Sequence, residues 1–163
     1  VLPLSQRPPV VRVDHEFAED TNSAAALEGA LYGLIEQVGA RLRHRRLATR
    51  RLHLVLDYTD GLRHARHAAV RPATANDLVL FAQARTLLSR AWVRRVRVRH
   101  LRLVCDRLIF PPTQLALFAD QRQRQKKRDN LVAAIDRIRT CFGHDAIHMG
   151  RTLATTDSLA GCK

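Results

Sequence analysis

Cysteine is scarce in this chain: Cys105, Cys141 and Cys162 are an odd number at wide spacing, with no CxxC pair. That pattern argues against a disulfide framework and for a reducing, cytoplasmic setting. Long apolar runs are missing as well. None approaches the roughly 18 residues that a membrane-spanning helix needs, and no basic amphipathic helix with aromatic anchors points to a membrane surface. The opening residues Val1-Leu2-Pro3-Leu4 are too short and too Pro-broken for a signal peptide, and the lack of an initiator Met makes a fragment of a longer protein the expectation. There is no Gly-rich phosphate loop, no Ser-His-Asp arrangement and no repeat. Acidic residues cluster only at Asp14/Glu16 and Glu19/Asp20, at a predicted strand and helix start, where capping and turns account for them. No catalytic residue, metal ligand or cofactor is therefore assigned to this chain. The spacing of Cys141, His144 and His148 is that of a metal half-site, but no fourth ligand follows.

What is present is positive charge. The formal net charge is +13, with 25 Arg against 3 Lys. Between residues 41 and 107 stand 17 Arg against 4 Asp, whereas the first 40 residues are net acidic. So concentrated a surplus implies a polyanionic partner, nucleic acid before an acidic protein or anionic membrane. Guanidinium forks suit phosphate, although a GC-rich genome would also favour Arg. An apolar content of 46% over 163 residues is enough for one domain with a tail, or two small domains.

Periodicity orders the elements. Residues 10–17 form a first strand after Pro8-Pro9, and residues 19–23 end it and supply helix-capping groups. Leu27, Leu31, Leu34, Val38 and Leu42 give one apolar helical stripe, predicting a helix over residues 23–46. Leu52, Leu54, Leu56 and Tyr58 alternate with polar residues as in a half-buried strand. Asp60-Gly61 then predicts a hairpin whose two central residues both take positive φ, and a polar return strand runs from 62 to 70, ended by Pro72. On it His64 and His67 are expected on opposite faces. Thr74 to Asp77 is read as a capping box. Phe81, Ala84, Leu88 and Ala91 stripe a second helix that Trp92 anchors to the core. The last strand covers residues 96–103, with a bulge at His100 where the alternation slips. The expected fold class is α+β: a four-stranded sheet in the order β-α-β-β-α-β, two helices on one face and the other face open, followed by a C-terminal tail with a short helix.

After Pro111 and Pro112 comes Gln114-Leu115-Ala116-Leu117-Phe118. Prolines hold preceding residues extended, so these side chains are read as presented rather than buried. The pattern resembles the QLxLF peptide with which bacterial polymerases and repair proteins dock into the sliding clamp; the competing reading is a strand end packing its leucines on the domain. Residues 121–128 are too polar to pack, and Leu131, Ile135, Ile138 and Phe142 stripe a short amphipathic helix over about 129–142.

Together, Glu16-Phe17-Ala18-Glu19-Asp20-Thr21, Leu54-Val55-Leu56-Asp57-Tyr58-Thr59-Asp60-Gly61, Arg97-Val98-Arg99-His100-Leu101, the peptide 114–118 and Ala134 to Gly143 resemble the little-finger domain and C-terminal tail of a bacterial Y-family translesion DNA polymerase of the DNA polymerase IV type. The resemblance covers residues 8–153 and implies a linker over 1–9, a DNA-binding domain over 10–110, a clamp-binding linker over 111–119 and a basic tail over 120–163. It departs from the family at His100-Leu101-Arg102 and at Arg107, where Gly is usual. It implies a non-catalytic piece that binds duplex primer-template DNA without sequence preference, through its open sheet face, and docks to the clamp. The expected DNA contacts are Arg50, Arg51, Arg63, Arg66, Arg97 and Arg99; those to the clamp are Gln114, Leu115, Leu117 and Phe118. The family's Ser-x-Asp-Glu motif is absent, so polymerisation and its magnesium belong to the parent, upstream of Val1. The same residues leave open a catalytically inactive Y-family adaptor, or an unrelated small RNA-binding protein with Leu115, Leu117 and Phe118 in its core.

Overall fold

The computed structural model describes residues 9–111, 119–147 and 150. Its elements are β1 (Val11–Thr21), α1 (Ala24–His44), β2 (Thr49–Tyr58), β3 (Arg63–Thr74), α2 (Asp77–Ala91), β4 (Val98–Asp106) and α3 (Ala119–Phe142), with one 3-10 turn at His144–Ala146. The four strands form one antiparallel sheet in the order β1-β4-β2-β3. The last strand is thus inserted between the first two. Polarity explains the arrangement: β2 and β4 each send an alternate row of fully buried residues inward, Leu52, Leu54 and Leu56 beside Leu101, Leu103 and Cys105. The Arg- and His-rich β3, with only Val70 buried, lies at an edge, where one side needs no partner.

The expected apolar stripes are the core. Leu27, Leu31, Leu34, Ile35, Val38 and Leu42 of α1 are buried, as are Phe81, Ala84, Leu88 and Ala91 of α2, and both helices pack on the same sheet face. Trp92 caps α2, packs against the core and donates Nε1–H to Asn22 Oδ1 at 3.2 Å. The slip at His100 is a bulge: Asp57 pairs with His100 but Tyr58 with Val98, which leaves Arg99 unmatched. His64 packs edge-on to Tyr58 under the helices while His67 lies across from His53 on the open face.

Several expectations need correcting. The first strand runs on to Thr21, so Glu19 and Asp20 are strand residues and Ser23 alone caps α1, accepting from Ala26 N–H at 3.4 Å. Nor are Asp14 and Glu16 cap or turn residues; they sit within the strand. Pro72 does not end β3. It falls where the pairing skips from Arg51–Ala69 to Thr49–Thr74, a stretch of an edge strand that owes the ladder no N–H. The hairpin loop is Thr59-Asp60-Gly61, closed by Tyr58 N–H to Leu62 O at 2.9 Å, and only Gly61 takes positive φ (81°). The N-cap of α2 is Asn76, accepting from Leu78 N–H at 3.0 Å, rather than Thr74. The last strand begins at Val98 and continues to Asp106.

The tail differs most. Its helix is 24 residues long and includes the run 121–128, since Gln, Arg and Lys are strong helix formers even where nothing covers them. Among the described residues its buried side chains are Val132 and Ile135, whereas Leu131, Ile138 and Phe142 stay exposed. The packed stripe is rotated by about one residue because charged neighbours dock it.

Candidate nucleic-acid interface

The open sheet face is a lattice of ion pairs. Antiparallel register places Arg12, Asp14 and Glu16 of β1 across from Val104, Arg102 and His100 of β4. Those in turn face His53, Val55 and Asp57 of β2, with Arg51 across from Asp106. On β3, His67, Ala65 and Arg63 complete the rows. Four guanidinium groups thus stand against four carboxylates. Arg102 Nε donates to Asp14 at 2.5 Å, Arg63 Nε to Asp57 at 2.5 Å and Arg51 Nε to Asp106 at 2.8 Å. His100 Nδ1 lies 3.2 Å from Asp57, and His53 Nε2 lies 3.1 Å from Asp106. Arg63 and then His100 hold the Asp57 carboxyl below the usual range, and Arg51 and His53 do the same for Asp106. Burial works the other way at Asp14, but Arg102 and Arg12 outweigh it.

The six arginines expected to contact DNA divide among several places. Arg51 and Arg63 lie on the open face and are already paired. Arg66 is exposed on the edge strand, donating only to its neighbour's carbonyl, Ala65 O, at 2.9 Å. Arg97 is exposed just before β4, and Arg99, in the bulge, reaches Asp20 at 3.5 Å. Arg50 is exposed at the opposite end of the sheet. The structure does not gather the six into one patch. The expected clamp residues Gln114, Leu115, Leu117 and Phe118 lie outside the described residues.

Sequence reading missed the polar seam between α3 and the helical layer. Arg43 of α1 donates Nη1–H to Asp77 at 2.6 Å and to Ala75 O at 2.7 Å, while its Nε–H and a second Nη reach Asp136 at 2.5 and 2.9 Å. Arg139 reaches Glu36 at 2.8 Å, and Asn76 Nδ2 donates to Asp129 at 2.8 Å. Gly39 permits this, since a Cβ there would lie 1.7 Å from Asp77 Oδ1. Burial pushes the Asp77 carboxyl up to about 6 against the opposing pull of Arg43. The available signal was the spacing of Asp129, Val132, Asp136 and Arg139, a helical stripe with charges in it.

Among the described residues no group of three or more His, Cys, Asp or Glu side chains could hold a metal ion. His148 of the Cys141/His144/His148 spacing lies outside the described residues. Burial pushes the Cys105 thiol up to about 12. Among the described residues no helix is long and apolar enough to cross a membrane.

Solved structures share this architecture. A ternary complex of Dbh DNA polymerase matches with a TM-score of 0.56 and 13% identity, over 63% of this chain and 29% of that one. A Y-family chimera, Dbh-Dpo4(243-245)-Dbh, matches with a TM-score of 0.55 and 15% identity, over 64% and 29%. At such identities the likeness is one of fold, and it places the chain among α+β domains of the type these polymerases carry. Residues 10–125 match the impB/mucB/samB family C-terminal domain, and the chain belongs to that family. DNA polymerase IV of Opitutus terrae (strain DSM 11246 / JCM 15787 / PB90-1) is 26% identical over 166 residues, covering 94% of this chain and 40% of that polymerase. The chain therefore spans less than half the length of that relative. Membership removes the reading of an unrelated RNA-binding protein.

Proposed function

We propose that this chain is the DNA-holding and clamp-docking part of a translesion DNA polymerase acting in the cytoplasm. The observation that carries the reading is family membership across residues 10–125, in a sequence that places Gln114-Leu115-Ala116-Leu117-Phe118 a few residues after Pro111-Pro112 and 17 Arg between residues 41 and 107. Contacts to phosphate position a protein without reading bases, which suits an enzyme that must work wherever a lesion stalls synthesis. A tethering peptide raises local concentration at the primer end without adding a chemical step. Catalytic carboxylates and their magnesium belong to the parent protein, and this chain alone, given magnesium, primer-template and nucleotides, extends no primer.

Titrating a labelled duplex at several salt concentrations tests the DNA role. With about five phosphates neutralised, log K falls against log salt with a slope of roughly −4 to −5; a flat dependence, or strong preference for one sequence, overturns it. For the clamp role, Leu117 and Phe118 are the apolar anchors and Gln114, able to donate and accept, fixes register. Truncating an anchor costs on the order of 2 kcal/mol, a roughly 30-fold loss. Phe118→Ala is expected to lose clamp affinity by that factor with an unchanged melting temperature. A lowered melting temperature with clamp affinity intact refutes docking.

A further inference from the structure

Charge on the open sheet face is balanced, so the surplus lies elsewhere, and one end of the sheet collects much of it. Asp106 pairs with Arg51 across β4 and β2, which puts Arg107 beside Arg50. Arg71 lies in the bulged stretch of β3 on the other side of Arg50. The turn from α1 into β2 adds Arg45 and Arg46, tied to the same end by the Ala48–Ile109 bridge. All five are exposed, and none has a side-chain hydrogen bond or ion pair among the described residues. The nearest sheet carboxylate, Asp106, is engaged by Arg51 and His53. At the opposite end Arg94 and Arg99 are answered by Asp60 and Asp20, while Arg95 and Arg97 stand exposed without a side-chain partner among the described residues.

Two of the five stand where arginine is conformationally disfavoured. Arg46 has φ 53° and Arg107 φ 49°, and among the described residues they are the only non-glycine residues in the left-handed region. A Cβ is penalised there, and glycine would relieve the strain at no packing cost, since both side chains point into solvent. At Arg46 the conformation closes α1, with Arg46 N–H on Arg43 O and Leu47 N–H on Leu42 O, a position glycine ordinarily fills, so a role for the side chain accounts for the residue rather than for the turn. α3 extends the surface. It is anchored from Asp129 onward, where Asn76 holds it at the start of α2, and its preceding turns expose Arg124, Lys126, Lys127 and Arg128.

We infer that this end of the sheet, continued by the basic turns of α3, is a duplex-phosphate-binding surface separate from the open face. The inference rests on the DNA-holding role proposed above and assigns it a place. Unpaired guanidinium groups can meet phosphate without first giving up a carboxylate, whereas Arg51 and Arg63 cannot. The surface also lies where the chain leaves β4 toward residues 114–118, so a duplex lying on it passes close to the tethering peptide's point of departure.

The test measures duplex affinity against salt, with thermal melting alongside, for the full chain. Arg46→Gly/Arg107→Gly is expected to melt at the same or a higher temperature, because strain is removed, while the slope falls by about 2 and affinity drops on the order of tenfold. Arg50→Gln/Arg71→Gln, at positions of ordinary backbone, is expected to lower the slope similarly with melting unchanged, and Lys126→Gln/Lys127→Gln likewise. A wild-type chain that binds duplex with an ordinary salt slope that the Arg50/Arg71 and Arg46/Arg107 variants leave unaltered overturns this surface while the DNA-holding role stands. A wild-type chain that binds no duplex overturns both. Anionic vesicles that bind as tightly as the duplex, and lose as much in the same variants, overturn duplex as the partner.

Discussion

Two sets of ion pairs in this molecule use the same chemistry in different surroundings. On the open sheet face, Arg63 and Asp57 meet at 2.5 Å with the arginine side chain 60% exposed. In the seam beneath α3, Arg43 meets Asp77 and Asp136 at 2.6 and 2.5 Å with its side chain 21% exposed, and Arg139 meets Glu36 with both near 10%. Exposed pairs contribute little, because water screens them and two long side chains must be ordered. Buried pairs add little over an apolar contact yet cost heavily when broken, because a desolvated charge is left behind. The open face is thus free to exchange partners, while the seam fixes the geometry of α3. A set of exposed, screened pairs and a joint that holds an element in place differ here chiefly in burial.

Breaking that contrast most directly means removing Arg43. Arg43→Ala strands Asp77 and Asp136, and a loss of about 3 kcal/mol in chemical denaturation is expected, with faster amide exchange across α3. Arg63→Gln on the open face is expected to leave the denaturation midpoint where it is. Equal effects from the two would mean that burial does not separate these pairs.

Gly39 probes the same joint without touching a charge. Alanine is ordinarily the better helix former by about 1 kcal/mol, but here its methyl would overlap the Asp77 carboxylate. Gly39→Ala is expected to destabilise by roughly 1–3 kcal/mol in urea melts. A stabilised variant would show that α1 and α2 lie further apart than this.

The pH dependence separates the two regions by sign rather than by size. Asp77, pushed up to about 6 by burial despite Arg43, binds its proton more tightly folded than unfolded. Its contribution is fully present at low pH and is lost as pH rises from the ordinary carboxylate value toward 6. Asp57 and Asp106, held low by Arg63 and Arg51 first, behave oppositely: their contribution is present above the ordinary value and lost as pH falls below it. Asp77→Asn is therefore expected to remove the decline in stability between about pH 4 and 6 while keeping the acid-side loss. Melts across pH 3 to 7 check this; an unchanged decline would place the responsible group elsewhere.

Much of this architecture was legible in the residues. Leu27 to Leu42 at helical spacing, Leu52 to Tyr58 at period two and the slip at His100 each report which side of an element is buried, and burial is what a local pattern encodes. The order β-α-β-β-α-β follows from the same run of elements, whereas the family rested on a resemblance carried by particular residues, among them Leu54 to Gly61 and Arg97 to Leu101. Less legible was anything that depends on what lies across a gap. Local pattern could not show that β4 would enter between β1 and β2, because strand order is set by which apolar faces meet once the chain is folded. Nor could it show that Pro72 would fall in an unpaired stretch of an edge strand. The six arginines looked alike in sequence; register alone gave Arg51 and Arg63 a carboxylate each and left Arg50 without one. The stripe of α3 was misjudged by one residue because hydropathy favoured Leu131 and Ile138, while Asp136 and Arg139 were drawn inward by Arg43 and Glu36. A side chain's own polarity is a property of the sequence; whether its charge is answered is decided only by the neighbour that tertiary structure brings to it.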